Sequence, residues 1–270
     1  MRMKEANYTM EKVNDEYKLK EVVDGVAQFV GDSISSIAQG EIVGRWYNPI
    51  EINNINIEKN HLPFWGKNLL GSHPKLQKID SVINYLDEGT DFGGLLYKAE
   101  NLTYIKEIKS SKVSNFYQTF YGCEKIEQLP ELDFHISNSS TMNFTETFKK
   151  CYKLKEIRIK NLNGNSFRRS SMALNFSDCL ELTNDSVNNI INNISKYTII
   201  GSDDLLPYVL VFNNNKKEYF LNTYCRILDE ENVFLPMEIV DSSFVSAITL
   251  MDYITNKKGI TLQFNEVDSQ

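Results

Sequence analysis

Cys123, Cys151 and Cys179 stand 28 residues apart, the most regular chemistry-bearing pattern in the chain. Such a ladder could be a series of nucleophiles, a metal site or one packing position used three times. A nucleophilic thiol needs a base beside it, and a zinc site needs its remaining ligands at short spacing. Neither accompanies these cysteines: there is no CxxC, and His61, His73 and His135 are scattered with no HExxH. A small buried side chain accounts for all three, and Cys225, in a predicted strand, reads as core too. The acidic clusters Asp87-Glu88-Gly89-Thr90-Asp91, Asp203-Asp204 and Asp229-Glu230-Glu231 are the candidates for the paired carboxylates that glycoside cleavage requires. Solvated turns explain them more simply. No GxxxxGK[ST] or GxGxxG is present, and Gly25, Gly31, Gly40 and Gly44 are too dispersed to cradle a phosphate. The expectation is a protein with no catalytic, metal or cofactor site.

The elements that carry the ladder are repeats. Asp91-Phe92, Leu96, Ala99, Leu102 and Ile105 form a first unit. Asn115-Phe116, Phe120, Cys123, Ile126 and Leu129 form a second, and Asn143-Phe144, Phe148, Cys151, Leu154 and Ile157 a third. Ser171-Met172, Phe176, Cys179 and Leu182 form a fourth, which stops with Asp185 in the last apolar place. The units are spaced 24, 28 and 28 residues apart. Asp, Asn or Ser at the first position caps a turn through its side-chain oxygen. The apolar residue beside it and the one four later then share a face of a short helical turn. Two apolar residues three apart lead into an extended segment, and stacking the units buries each position against its equivalent. Leu70, His73, Leu76 and Ile79 match the first unit at an offset of 26 and suggest a degenerate earlier coil. Between the core positions of the extended segments, Thr103, Tyr104, Glu127, Gln128, Lys155, Glu156 and Arg158 would form one exposed face. Tyr104, Gln128, Glu156 and Arg158 are its candidate binding residues, while Trp46-Tyr47 and Phe64-Trp65 read as core or interface anchors.

Composition bounds the partners. With 29 basic against 36 acidic residues the net charge is −7, which argues against a general nucleic-acid binder. The N-terminus lacks the apolar core of a secretory signal, and no apolar run approaches bilayer length, so membrane insertion is not expected. About one residue in nine is Asn, which reads as an AT-rich genome more than as chemistry.

The flanks differ from the repeats. Leu19, Val23, Val26, Val30 and Ile37 follow a 3-4 pattern, predicting an amphipathic helix or short coiled-coil seam over residues 19–37. Residues 50–57 read as a strand. Thr183 or Asn184 caps a helix carrying Val187, Ile190, Ile191 and Ile194, a natural end cap for the repeats. Residues 208–212 and 218–228 read as a hairpin with a polar loop, and 233–240 as a strand. Asp241 would cap a helix carrying Phe244, Ile248 and Met251 and stopped by Gly259, and residues 260–264 are a last strand. The expected organisation is an attachment or oligomerisation region over 1–60, repeats with their capping helix over 61–199, and a small α+β unit over 200–270.

The stretch from Asn143 to Ile157, with the aromatic-x-x-Cys-x-x-Leu core Phe148, Cys151 and Leu154, resembles the BspA-type leucine-rich repeat. Phe120-Tyr121-Gly122-Cys123 fits the same core, and Leu96-Tyr97-Lys98-Ala99 departs from it by lacking Phe and Cys. The segment from Asn175 to Val187 is similar to the closing segment of such arrays in tail-associated proteins of phages infecting low-GC Gram-positive bacteria, and Lys258-Gly259-Ile260-Thr261 to the end of those proteins. The resemblance covers about residues 90–196 and implies a short leucine-rich-repeat solenoid there; with the flanks as read above, the expected fold is α+β, with an N-terminal helical and β attachment region and a C-terminal α+β unit. It implies a non-enzymatic structural or receptor-binding component of a phage tail or tail-like bacteriocin, at the baseplate or fibre. The expected partners are other tail and baseplate proteins, a host cell-surface glycan or protein, and further copies of itself within the particle. The expected location is the virion or tail-like particle, made in the host cytoplasm and released by lysis. A bacterial surface adhesin is the alternative, and a glycan-cleaving tail enzyme the third reading.

Overall fold

The computed structural model describes residues 7–13, 16–23, 26–29, 51–53, 76–84, 90–110, 113–134, 143–162, 173–194, 208–228, 233–237 and 248–267. At the N-terminus, β1 (Asn7–Val13), β2 (Glu16–Val23) and β3 (Val26–Phe29) form an antiparallel three-stranded sheet. This corrects the helix expected from residue 19 onward. Val13 pairs with Glu16 and Val23 with Val26, so two residues separate the paired ends at each junction, and the sequence Asp24-Gly25 is among the strongest hairpin signals. Together with β-branched Val22, Val23 and Val26, that signal outweighs a 3-4 spacing that Gly25 already weakens as a helix. Residues 30–37, and with them Val30 and Ile37, lie outside the described residues, as do Trp46-Tyr47 and Phe64-Trp65.

The middle of the chain is a parallel stack. β4 (Glu51–Asn53), β5 (Lys78–Asn84) and β7 (Tyr104–Lys109) lie side by side in that order, all parallel. Ile79 pairs with Ile105, the offset of 26 that the degenerate first coil predicts; Leu76 and Ile79 are fully buried, while Leu70 and His73 lie outside the described residues. On another side of the coils, β6 (Thr90–Asp91) pairs with β8 (Val113–Asn115), and Asn115 bridges to Asn143, so the first positions of three units are in parallel register. β9 (Leu132–Asp133) and β10 (Ile159–Lys160) repeat the arrangement further along.

Every described core position of the repeat is buried. Phe92, Phe116 and Phe144, then Leu96, Phe120, Phe148 and Phe176, then Ala99, Cys123, Cys151 and Cys179, then Leu102, Ile126, Leu154 and Leu182 are each at most 1% exposed. Met172 and its neighbour Ser171 lie outside the described residues. The aromatic rings run along the stack: Phe120 to Phe148 is 5.7 Å between centroids, and Phe148 to Phe176 is 4.8 Å, both near-parallel. Phe134 wedges edge-on against Phe116 and Phe144. Such pairs add about 0.5–1.5 kcal/mol each to the area they bury.

The segment between the two apolar positions is not a helical turn but a pair of tight turns. Thr119 N–H bonds to Phe116 O, Tyr121 N–H to Gln118 O and Cys123 N–H to Phe120 O, all three residues back. Between these, alternate N–H groups leave the coil: Phe116, Gln118, Phe120 and Gly122 donate to Asn143, Thr145, Thr147 and Lys149 carbonyls in the next one at 2.8–3.0 Å. A helix would have consumed those donors internally. The turns need left-handed residues at two places per unit: Gly94 and Lys98, Gln118 and Gly122, Glu146 and Lys150 all have φ between 53° and 74°. Asn115 and Asn143 behave as the repeat predicts at its first position, their Oδ1 accepting from the N–H two residues on. Asn175 and Asn213 do the same. Part of the Asn content is therefore turn chemistry.

Towards the C-terminus, β11 (Leu174–Phe176) puts Phe176 on extended backbone, where its counterparts occupy turns. Helix α1 (Asn184–Asn193) follows, with Thr183 as N-cap and Val187, Ile190 and Ile191 buried. Beyond it the expected hairpin is absent. β12 (Tyr208–Asn213) pairs in parallel with β11, and a short helical segment runs from Asn214–Lys216 into α2 (Lys217–Asn222). Asn213 caps that segment, accepting from Asn215 N–H. The extended stretch of the other predicted arm is β13 (Tyr224–Leu228), which pairs antiparallel with β14 (Val233–Met237) and β15 (Ile248–Thr249). The helix expected from Asp241 instead starts after Thr249, whose hydroxyl accepts from Asp252 N–H; Ile248 is in a strand, and residues 238–247, with Asp241 and Phe244, lie outside the described residues. The helical segment Leu250–Asp252 and Tyr253–Lys257 ends at Gly259, φ 68°. Last, β16 (Ile260–Asn265) pairs in parallel with β12. Phe176, Phe212, Phe220 and Phe264 thus extend the aromatic run across residue 200. Lys258, 3% exposed, drives its Nζ into the C-terminal end of α1, donating to Ile191 and Ile194 carbonyls over the Tyr253 ring.

Candidate binding face

The residues outside the core define what the coils offer to a partner. Tyr104, Gln128, Glu156 and Arg158 are all exposed, on successive coils. Gln128 and Glu156 are bridge partners in adjacent coils. Leu129 N–H donates to Glu156 O and Leu132 N–H to Arg158 O, so backbone bonds fix the level of all three. Tyr104 opens β7 and pairs with Lys78, whose ammonium sits 5.8 Å from its ring centroid. Tyr104 and Gln128 line a common groove of ≈ 380 Å³ with Thr103, Lys106, Lys125 and Glu127. Glu156 and Arg158 stand beyond that groove.

Most charges on this face are paired from one coil to the next. Lys155 reaches back to Glu127 at 2.8 Å and forward to Glu181 at 3.5 Å, and Lys153 also binds Glu181. Lys160 meets Glu131 at 2.7 Å and Asp133 at 3.9 Å. Lys78 holds Asp80 at 2.9 Å, with Lys106 at 3.8 Å from the same carboxylate. The bond from Lys78 holds the Asp80 carboxyl below the ordinary range, as that from Lys153 does for Glu181. Glu127 and Glu131 correspondingly raise the Lys155 and Lys160 ammonium groups. Exposed pairs of this kind are screened by solvent and add little to stability; their effect here is to tie neighbouring coils in register. Among the described residues, Glu156 and Arg158 make no such pair.

The thiols are inward-facing hydrogen-bond donors. Cys123 Sγ donates to Leu96 O at 3.4 Å and Cys151 Sγ to Phe120 O at 3.1 Å, each into the preceding coil; Cys179 Sγ lies 3.9 Å from Phe148 O. Burial pushes the Cys123 thiol up to about 12 and those of Cys151 and Cys179 well above the ordinary value, so the nucleophilic thiolate is suppressed. Two residues that sequence reasoning passed over do the same work with hydroxyls. Buried Thr119 and Thr147 donate to Phe92 O at 2.9 Å and Phe116 O at 2.8 Å. Their common place, three residues after the first Phe of their units, was the available signal. The last coil end is closed by Asp178, 9% exposed, whose carboxylate accepts Lys150 N–H where earlier coils supply a backbone carbonyl.

Among the described residues no group of three His, Cys, Asp or Glu side chains could hold a metal ion, and no helix is long and apolar enough to cross a membrane. His61, His73 and His135 lie outside the described residues, as do Asp87 and Glu88, Asp203 and Asp204, and Asp229, Glu230 and Glu231. Comparison with protein-family models, curated proteins and solved structures gives no match for this chain.

Proposed function

We propose that the chain is a non-enzymatic component of a phage tail or tail-like bacteriocin, in which a leucine-rich-repeat solenoid serves as a rigid arm and its outer strands as a recognition surface. The observation that supports this reading is the register of the aromatic-x-x-Cys-x-x-Leu coils: Phe120 over Phe148 over Phe176, with a thiol or hydroxyl from one coil bonded into the coil before. Coils locked by backbone bonds, ring stacks and inter-coil ion pairs keep side chains such as Tyr104, Gln128, Glu156 and Arg158 at fixed separations. A fixed array presented in many copies on one particle converts weak contacts into firm attachment without a reactive group. Residues 1–60 attach the arm to neighbouring tail proteins or to further copies of the chain, and the C-terminal strands close its far end or meet the next partner.

Particles released from an induced culture, separated on a density gradient and analysed by mass spectrometry, test this. The full chain is expected to co-sediment with tail proteins, and a chain lacking residues 1–60 to be missing from the particles. Recovery only from the cell envelope overturns the reading in favour of an adhesin, and release of reducing sugar from host wall material in favour of an enzyme.

A further inference from the structure

The groove between the Tyr104 and Gln128 coils carries two lysines, Lys106 and Lys125, whereas Lys153, Lys155 and Lys160 on the same outer face each hold a carboxylate. Of its three charged walls, Glu127 is committed to Lys155 at 2.8 Å on the next coil. Among the described residues, Lys125 donates only to a neutral partner, the Asn101 carboxamide, at 2.6 Å. Lys106 has one carboxylate in reach, Asp80 at 3.8 Å, and shares it with Lys78, which is closer at 2.9 Å. Two ammonium groups therefore face one groove without a carboxylate of their own, in a chain whose net charge is −7. Tyr104 shares the lining with them and is 44% exposed, more than any other large hydrophobic residue described. The Gln128 carboxamide adds a donor and an acceptor.

We propose that this groove binds an acidic polysaccharide, with the Tyr104 ring lying against a sugar ring and Lys106 and Lys125 meeting its phosphate or carboxylate groups. The proposal rests on the reading of the outer strands as a recognition surface and names the ligand of that surface. Charge complementarity selects an anion. The flat exposed ring, which can lie against a sugar ring, and the hydroxyl-matching amide favour a sugar over an acidic peptide. Two lysines are too few for a nucleic acid, where affinity grows with the number of phosphates neutralised.

Isothermal titration of the full chain at low salt provides the test. The probes are polygalacturonate and a poly(glycerol phosphate) glycan, with dextran, polyglutamate and a mixed-sequence oligonucleotide as comparisons. At least one acidic glycan is expected to bind and dextran not to bind. Lys106→Gln and Lys125→Gln should each weaken binding roughly tenfold, as the loss of one charge-assisted hydrogen bond implies. Tyr104→Ala should do the same, Lys217→Gln, an exposed lysine outside the groove, should leave binding unchanged, and rising salt should weaken it. All four side chains are exposed, so the substitutions leave the core intact, which circular dichroism checks. Binding of polyglutamate or the oligonucleotide as tightly as the glycan, or binding insensitive to Tyr104→Ala, overturns the proposal, as does no binding of any acidic glycan. If the chain still co-sediments with particles in those cases, the ligand assignment alone has failed.

Discussion

Replacing Cys151 by serine should damage the protein less than replacing it by alanine, the reverse of what a merely apolar position would show. The Cys151 sulfur is fully buried and donates to Phe120 O at 3.1 Å, a carbonyl that also accepts Cys123 N–H at 3.1 Å. Alanine removes one heavy atom, worth about 0.5–1.5 kcal/mol with its void. It also removes a hydrogen bond of about 0.5–1 kcal/mol net, the carbonyl being spared a full penalty by its second partner. The total is about 1–2.5 kcal/mol. Serine loses part of the volume but keeps a donor, as Thr119 and Thr147 already do one turn earlier, for about 0.5–1 kcal/mol. At Cys179 the order should reverse. Its sulfur is 3.9 Å from Phe148 O, so a hydroxyl on a shorter bond would be left without an acceptor at a cost of about 1–3 kcal/mol. Urea unfolding of the four single variants, compared at constant slope, measures both orders. A Cys151→Ser protein less stable than Cys151→Ala by about 1 kcal/mol or more refutes the donor role, because removing a mere filler should favour alanine at both sites.

Three further outcomes follow from the geometry. Lys150, at φ 62°, should accept glycine with a gain of about 0.5–1 kcal/mol, the relief of left-handed strain less glycine's entropy. Gly122→Ala should lose about 1–2 kcal/mol, because its φ is 74° and the new Cβ meets Lys98 Cα at 3.4 Å; thermal unfolding measures both. Burial pulls Lys258 down from 10.5 to about 8, opposed by the two helix-terminal carbonyls and the Tyr253 ring. Between those values the unfolded chain holds a proton that the folded one has released, so stability should rise with pH from about 8 to 10.5 by no more than about 3 kcal/mol. The difference in melting temperature between the protein and Lys258→Met across that range isolates the effect, and a difference that falls with pH contradicts it.

The coils were legible because their apolar spacing and their burial are the same pattern. Offsets within units pointed to the buried ladder from Phe92 to Leu182, though not to Leu95, Ile108, Leu132 or Phe134, which are buried beside it, and the offset of 26 matches the Ile79–Ile105 pairing. The turns were not legible, since four of their six left-handed positions are Lys, Gln or Glu rather than Gly and nothing in the sequence marks those side chains as bearing that backbone. At the N-terminus Leu19, Val23 and Val26 fit a helix as well as they fit a hairpin, and the Asp24-Gly25 signal between strands that pair from Val23 to Val26 decides the matter. At the C-terminus β12 and β16 lie parallel although some fifty residues separate them, and no local pattern encodes such a pairing. On the outer face the sequence located Tyr104 and Gln128 on neighbouring coils. It could not show that Lys155 takes Glu127 out of the groove and leaves Lys106 and Lys125 to face it, because that depends on side chains crossing between coils.

Immunogold labelling of particles from an induced lysate, with antibody raised against residues 200–270, tests the tail assignment most directly. Gold at tail tips, baseplates or fibres is the predicted result. Gold on intact cells beside bare particles would contradict it and make the chain a cell-surface protein.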